Sequence, residues 1–227
     1  MTGRPRLHFS FRSPYSWMTV RRLRERVPDA FETIEWLPYW DPDPRTSAKL
    51  KERGGEFHYV QMSRAKHFYI LMDTKRLAAA EGLPMVWPVD VDPWWELPHL
   101  AWLQARRAGL AEPFYDAVCA ARWLRGEAIC TPGVIGRAAA EAGLDPRAAV
   151  AAPDDANLRE EGADCLMRAY HDDIFGIPYL RWGRQRFWGL DRLDAFLAAW
   201  QGDVPAERVT VPRAAAGYDT DTAGGCG

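Results

Sequence analysis

The residues best suited to chemistry lie in one short turn, Ser13-Pro14-Tyr15-Ser16. A serine followed by a proline is a favoured helix start, with the serine as N-cap and the proline at the first helical position. The first N–H groups of a helix have no partner within it, and the helix dipole is positive at that end. The turn therefore predicts a place where a negatively charged atom is stabilised.

A thiolate is one such negatively charged atom, because the pKa of a thiol is lowered at a helix N-terminus. Ser13 has no sulfur, but its hydroxyl can donate a hydrogen bond to a sulfur that a cofactor brings. A charge-assisted bond of this kind contributes roughly 1.5–3 kcal/mol, which lowers a thiol pKa by about one to two. Because the turn has no thiol, we predict that no disulfide exchange occurs there. The turn alone favours a helix cap without further function, and activation of a bound thiol by Ser13 is the alternative.

The bulk composition restricts the function classes. The chain has 227 residues, of which 48% are hydrophobic and 26% charged, and its formal net charge is −2. This balance is typical of a soluble globular protein, and it provides no basic field that would attract nucleic acid or anionic lipid. No long apolar run follows the N-terminus, so we expect neither a signal peptide nor a membrane span. A small-molecule substrate is the expected partner.

The four cysteines, Cys119, Cys130, Cys165 and Cys226, are neither two residues apart nor grouped with histidines. This spacing predicts no metal site and no local redox pair. We interpret the first three as buried thiols. Reduced thiols favour a cytoplasmic location.

Tryptophan is unusually frequent, with 11 in the chain. Trp40, Trp94 and Trp95 fall in proline-rich segments typical of loops. Because aromatic side chains in loops often line ligand pockets, we predict that these three contribute to a substrate pocket. Packing onto the core is the alternative.

Hydrophobic periodicity predicts a βαβ unit at the start of the chain and a ββα unit at its end. Arg6–Phe11 alternates as a strand does, Tyr15–Arg26 has helical spacing, and Phe31–Tyr39 is a second strand. Ile177–Trp188 is typical of a hairpin, and Leu190–Trp200 of an amphipathic helix.

The middle of the chain is predicted to be helical, interrupted by an irregular loop over Gly82–Pro98. Start and stop signals place helices at Val60–Glu81, Leu100–Ala108, Phe114–Leu124, Pro132–Ala142, Pro146–Ala151 and Glu160–Asp173. We therefore predict an α/β protein in which residues 1–56 and 174–202 form a sheet domain and residues 57–173 form an inserted helical domain. Residues 203–227 are predicted to be a flexible tail.

Four local motifs occur in the order found in one known family. They are FSFRSPYSW from Phe9, KHFYILMDTKR from Lys66 followed by Gly82-Leu-Pro84, ARW from Ala121 followed by GEAI, and FGIP from Phe175 followed by FWGLDRL. With them the chain resembles the DsbA-like branch of the thioredoxin superfamily over about Leu7 to Trp200. Within that branch it is most similar to 2-hydroxychromene-2-carboxylate isomerases and kappa-class glutathione transferases.

The resemblance implies a thioredoxin-like fold with an inserted all-α domain and a cis peptide before Pro178. It also implies that glutathione or another low-molecular-weight thiol is the cofactor, without a metal, and that Ser13 is catalytic. The residues implied in cofactor binding are Lys66, Ile177, Pro178, Leu190 and Asp191, and those in the substrate pocket are Tyr15, Trp17, Trp40, Trp94 and Trp95. Lys66 as a solvated lysine, Asp191 as an acid favoured at a helix start and Trp17 as a core residue are the alternatives.

The function implied by the resemblance is the thiol-dependent isomerisation of a conjugated, aromatic organic acid. A kappa-type glutathione transferase, a thiol-independent biosynthetic isomerase and a cysteine-less binding protein are the alternatives. Relatives are often dimers, so a homodimer is expected. Two loops, Leu37–Pro44 and Asp92–Pro98, depart from the pattern of relatives, in which they shape the substrate pocket. The resemblance therefore does not specify the substrate.

Overall fold

A four-stranded mixed sheet is built from the two ends of the chain. The computed structural model describes residues 3–58 and 62–202. The strands are β1 (Arg6–Phe9), β2 (Glu35–Pro38), β3 (Tyr179–Trp182) and β4 (Gln185–Trp188). They lie in the order β2-β1-β3-β4, with β1 parallel to β2 and antiparallel to β3, and with β3 antiparallel to β4.

The helices are α1 (Pro14–Arg26), α2 (Ala30–Thr33), α3 (Pro44–Glu52), α4 (Arg64–Ala80), α5 (Glu96–Arg107), α6 (Ala111–Cys119), α7 (Pro132–Glu141), α8 (Pro146–Ala151), α9 (Ala156–His171) and α10 (Leu193–Gln201). A π-helical turn, Ala120–Leu124, continues α6, and 3-10 turns cover Ala152–Asp154 and Leu190–Arg192. The predicted α/β architecture, with a helical region between its βαβ and ββα parts, is confirmed. Among the described residues, no helix has the length and apolarity needed to cross a bilayer.

Several predicted boundaries are wrong, each for a local reason. The predicted strand over residues 31–39 begins instead as the single helical turn α2, because Ile34 N–H donates to Ala30 O and closes that turn. Helix α5 begins at Glu96, four residues before the predicted start. Pro98 is tolerated there because the N–H groups of a first helical turn have no intrahelical acceptor.

One aromatic cluster joins the sheet to the helical region. The ring of Phe9 on β1 lies 5.7 Å from that of Trp36 on β2, 5.0 Å from that of Trp102 on α5 and 5.6 Å from that of Tyr115 on α6. Edge-to-face pairs at these distances add to the free energy gained by burial. The core therefore fixes the end of β1, from which the Ser13 turn leaves. The division into a sheet domain and an inserted domain over 57–173 stays a prediction, and the predicted tail over 203–227 lies outside the described residues.

A buried ion cluster holds the opposite end of the sheet. Asp172, at the end of α9, accepts hydrogen bonds from Arg6 on β1 and Arg181 on β3, and His8 Nε2 lies 3.3 Å from its Oδ2. Burial alone would raise the pKa of Asp172, but the His8 hydrogen bond and the two guanidinium groups lower it. Burial lowers the pKa of His8 because it disfavours the charged imidazolium, and the charges of Arg6 and Arg181 lower it further, while Asp172 opposes both.

Replacing His8 by glutamine flattens the dependence of stability on pH. His8 is entirely buried and its pKa is lowered from 6.5, so below that pH the unfolded chain binds a proton that the folded chain does not. Below pH 6.5 the free energy of unfolding therefore decreases as the pH is lowered, by up to about 1.4 kcal/mol per pH unit. The glutamine of His8→Gln keeps an N–H donor towards Asp172 but does not titrate. Urea denaturation between about pH 7.5 and about pH 5 measures the slope, and exposed His171→Gln is the control. Equal slopes in His8→Gln and the parent would contradict this assignment.

Candidate active site

Ser13 is the N-cap of α1 and lies where β1 gives way to that helix. Its Oγ accepts a hydrogen bond from the Ser16 N–H at 3.1 Å, and its own N–H donates to Ser10 O at 3.1 Å. Pro14 occupies the first helical position, as the sequence predicts. In the part of the chain that the structure describes, the Ser13 hydroxyl donates to no other group. Its proton is therefore available to a ligand.

A cavity of about 480 Å³ runs along α1 beside this turn. Its lining comes from α1, α4 and the segment from Ile177 to Arg192, and comprises Tyr15, Arg22, Asp73, Leu77, Ile177, Pro178, Trp188, Gly189, Leu190, Asp191 and Arg192. Four of the five residues implied in cofactor binding, Ile177, Pro178, Leu190 and Asp191, are thus brought together with Tyr15. Ser13 precedes the lining residue Tyr15 by two positions and is not itself part of the lining.

The wall opposite α1 depends on a close backbone arrangement. The Ile177–Pro178 peptide is cis, as the resemblance implies, and Pro178 O accepts a hydrogen bond from the Gly189 N–H at 3.0 Å. Gly189 has a φ of 95°, a conformation that residues with a Cβ rarely adopt. This pairing brings Pro178 next to the 3-10 turn that carries Asp191.

Helix α4 supplies a carboxylate to the cavity. The Tyr15 hydroxyl donates to Asp73 Oδ2 at 2.7 Å, and Arg76 donates to Asp73 Oδ1 at 2.8 Å. Burial and the hydrogen bond to Asp73 raise the pKa of Tyr15, and the Tyr15 hydrogen bond together with Arg76 lowers the pKa of Asp73. At neutral pH the pair is therefore a neutral phenol and a carboxylate. The sequence had not placed Asp73 in a binding cavity.

Arg22 is a lining residue that sequence reasoning missed. It stands seven positions after Tyr15, which is two helical turns, so both side chains lie on one face of α1. Its Nε donates to Glu81 Oε1 at 2.7 Å. Arg192, the other guanidinium of the lining, donates to Asp191 Oδ2 at 2.7 Å. The cavity thus presents charges of both signs, which suits a ligand that itself carries both.

The fold agrees with that of known proteins. The chain matches the DSBA-like thioredoxin domain over residues 6–201. It belongs to that family. A 2-hydroxychromene-2-carboxylate isomerase of Sphingobium xenophagum is 26% identical over 197 residues, covering 86% of this chain and 96% of the relative.

Solved structures share the fold of this DSBA-like domain at low identity. A 2-hydroxychromene-2-carboxylate isomerase superposes with a TM-score of 0.69 at 22% identity, over 88% of this chain and 95% of the other. A probable DsbA oxidoreductase from Streptomyces coelicolor gives 0.63 at 18% identity, over 89% and 92%. A cytosolic disulfide reductase from Pseudomonas aeruginosa gives 0.57 at 17% identity, over 89% and 100%.

The three cysteines of this DSBA-like domain that the structure describes are not among the residues that line the cavity. Cys119 and Cys165 are buried and Cys130 is half-buried, and none of the three is in a disulfide. Burial raises the pKa of Cys165 and of Cys130 to about 12 and raises that of Cys119 further. These thiols stay protonated at neutral pH, so they are poor nucleophiles. Cys226 lies outside the described residues.

Other residues suggested by the sequence lie away from the cavity lining. Lys66 is exposed in the first turn of α4, where its N–H is capped by Ser63 Oγ at 3.2 Å. Trp17 is buried and stacks on Trp123, with ring centroids 6.1 Å apart. Trp40 is buried and stacks on the His99 ring at 5.1 Å. Their binding roles stay predictions.

Trp94 and Trp95 are neighbours in sequence with different surroundings. Trp94 is 40% exposed, and its Nε1 donates to Asp43 Oδ2 at 3.3 Å. Trp95 is 4% exposed, with the guanidinium carbons of Arg12 and Arg122 at 5.7 Å and 5.0 Å from its ring centroid. Trp95 therefore belongs to the interior directly beneath the residue that precedes Ser13.

A buried polar network joins the two loops that depart from the pattern of relatives. Asp43, the N-cap of α3, accepts from Arg159 Nη1 at 3.0 Å, and its N–H donates to Glu96 Oε1 at 2.9 Å. Burial raises the pKa of Glu96. Burial would also raise that of Asp43, but the Thr46 N–H and Arg159 outweigh it and lower the pKa. The network therefore fixes the loop after β2 against the start of α5.

Proposed function

We propose that this protein is a thiol-dependent isomerase that acts on a conjugated, aromatic organic acid resembling a 2-hydroxychromene-2-carboxylate. One observation carries the proposal: a serine hydroxyl, where disulfide enzymes of this fold need sulfur, caps α1 beside a cavity of mixed charge. Such a site suits a sulfur supplied by a cofactor. The similarity to the Sphingobium isomerase over nearly its whole length supports the reaction class.

Glutathione fits the residues of the cavity. It is a small peptide with two carboxylates and one ammonium group, and the lining offers two guanidiniums, Arg22 and Arg192, and two carboxylates, Asp73 and Asp191. The volume of about 480 Å³ is in the range of small-molecule sites. When bound, glutathione would supply a thiolate as nucleophile.

The chain's own residues bind and orient the cofactor in this proposal. Asp191 accepts hydrogen bonds from the ammonium group, and the N–H groups that open the 3-10 turn at Leu190 donate to the neighbouring carboxylate. Ile177 and Pro178 hold the cysteine part. Arg22 is the lining cation for the second carboxylate, a role for which the resemblance suggests Lys66.

Ser13 has two separate tasks in this mechanism. Its oxygen accepts the Ser16 N–H and so caps the start of α1, while its O–H would donate a hydrogen bond to the sulfur of the bound cofactor. The positive end of α1 adds to the stabilisation of the anion. A thiol activated in this way is more ionised at neutral pH. The cofactor, rather than a side chain, would then supply the nucleophile for catalysis. The buried thiols of the chain, reduced and protonated, suit a cytoplasmic setting.

The acidic, aromatic character that we propose for the substrate is supported by residues on the side of Ser13 away from α1. Arg12 immediately precedes Ser13, is exposed, and has its guanidinium over Trp95. We assign Arg12 to the substrate carboxylate because it is a cation directly next to Ser13 in the chain.

The test is isomerisation of 2-hydroxychromene-2-carboxylate by the purified protein with and without glutathione. We expect turnover only when glutathione is present. Turnover of equal rate without any thiol would instead identify a thiol-independent isomerase. Conjugation of an aryl halide, with no isomerisation, would identify a transferase. The expected homodimer stays a prediction.

Replacing Asp191 by asparagine weakens glutathione binding about tenfold, because an ammonium group loses its charged acceptor. Isothermal titration calorimetry with glutathione measures the change. Asp194→Asn is the matched control, since Asp194 lies three residues further on, is exposed, and contacts Arg26. Equal affinities of the two variants would remove Asp191 from the binding site.

A further inference from the structure

His99 is a wholly buried residue of α5 that reaches the turn before Ser13. Its Nδ1 lies 2.7 Å from Trp95 O, one turn earlier in the same segment. Its Nε2 lies 3.3 Å from the Phe11 N–H nitrogen and 3.3 Å from Ser10 Oγ. The imidazole thus spans the distance between α5 and the segment that leads into α1.

The partners of the ring determine its tautomer. A carbonyl oxygen accepts only, so Nδ1 must carry the proton that it donates to Trp95 O. The backbone N–H of Phe11 donates only, so Nε2 must be the unprotonated acceptor. Burial, and to a lesser extent the charge of Arg122, lower the pKa of His99 to about 3. The ring is therefore neutral over the working pH range.

Polar atoms of the turn are held through this acceptor. The Ser10 hydroxyl donates to Nε2 and accepts the Arg12 N–H at 3.3 Å. Ser10 O accepts the Ser13 N–H at 3.1 Å. The backbone from Ser10 to Ser13 is thus tied to one imidazole nitrogen of a residue 88 positions away from Phe11.

We propose that His99 is a positioning residue for Ser13, holding the turn through an unprotonated Nε2. It does not touch the cofactor or substrate, and it acts by fixing where the Ser13 hydroxyl points. The stacking of Trp40 at an interplanar angle of 12° fixes the plane of the ring. The kinetic consequence rests on the proposed function, whereas the structural one does not.

Two substitutions separate the two ring nitrogens. In His99→Gln the carboxamide oxygen reaches the place of Nε2 and still accepts the Phe11 N–H. In His99→Asn the amide nitrogen replaces Nδ1 as donor to Trp95 O, and Phe11 is left without its acceptor. We expect hydrogen exchange of the Phe11 amide to accelerate about tenfold in His99→Asn and little in His99→Gln, without any ligand present.

The same pair of variants tests the link to Ser13. With glutathione bound, thiolate absorbance reports the pKa of its sulfur. In His99→Asn we expect that pKa to rise and kcat to fall about tenfold, with little change in KM. In His99→Gln we expect both the pKa and kcat to return towards the values of the parent protein. The same exchange rate or thiol pKa in both variants would overturn the proposal. If His99→Asn does not fold, nitrogen-15 shifts of the ring in the parent protein decide, because a proton on Nε2 would overturn it. Slow Phe11 exchange with no isomerase activity would refute the proposed function alone.

Discussion

Replacing Ser13 by alanine lowers the rate of thiol-dependent isomerisation roughly 10- to 100-fold. The reason is the loss of one charge-assisted hydrogen bond to sulfur, which contributes roughly 1.5–3 kcal/mol. Steady-state kinetics at saturating glutathione measure the effect. The same substitution removes the acceptor of the Ser16 N–H, so the free energy of unfolding falls by about 1 kcal/mol.

Two further substitutions separate the cap from the catalytic hydroxyl. Ser13→Asp keeps a good N-cap acceptor but has no proton to donate and repels a thiolate, so it retains stability and loses activity. Ser13→Thr keeps both the acceptor and the donor, so it retains most of each. Activity that follows stability across the three variants would show that Ser13 is a cap and nothing more.

Replacing Arg159 by methionine lowers the free energy of unfolding by about 3–5 kcal/mol. Arg159 is 2% exposed and is bound to Asp43 by two contacts of 3.0 Å and to Thr46 Oγ1 by one of 2.9 Å. Its removal leaves Asp43 as a largely buried carboxylate without its cation. Removing one partner of a buried ion pair lowers stability far more than replacing both partners does. Urea denaturation measures the loss.

A double variant tests whether the uncompensated charge is the cause. Asn is also a good N-cap, so Asp43→Asn combined with Arg159→Met keeps the cap of α3 and removes the charge. We expect it to be more stable than Arg159→Met alone. Arg107→Met is the control, because Arg107 is exposed in its pair with Glu161 and such pairs contribute about 0–1 kcal/mol. A loss in Arg159→Met no larger than in this control would contradict the assignment.

The sequence by itself determined the features that depend on neighbours in the chain. A serine before a proline fixed the start of α1, and the absence of sulfur from that turn excluded disulfide exchange there. The order of motifs carried the resemblance to a family, and that resemblance implied the fold and the cis peptide before Pro178. These conclusions were available because caps, periodicity and short motifs act over a few residues.

The tertiary structure alone decided which distant side chains meet. Asp73 and Arg22 enter the cavity because α4 packs beside α1, and neither residue carries a local signal for that contact. Trp40 stacks on the His99 ring, and Trp95 lies beneath the guanidinium groups of Arg12 and Arg122, contacts that their proline-rich surroundings do not indicate. Their roles in a substrate pocket stay predictions. The placement of His99 beneath the Ser13 turn has the same origin: contacts between residues far apart in the chain depend on the packed arrangement, which local patterns do not encode.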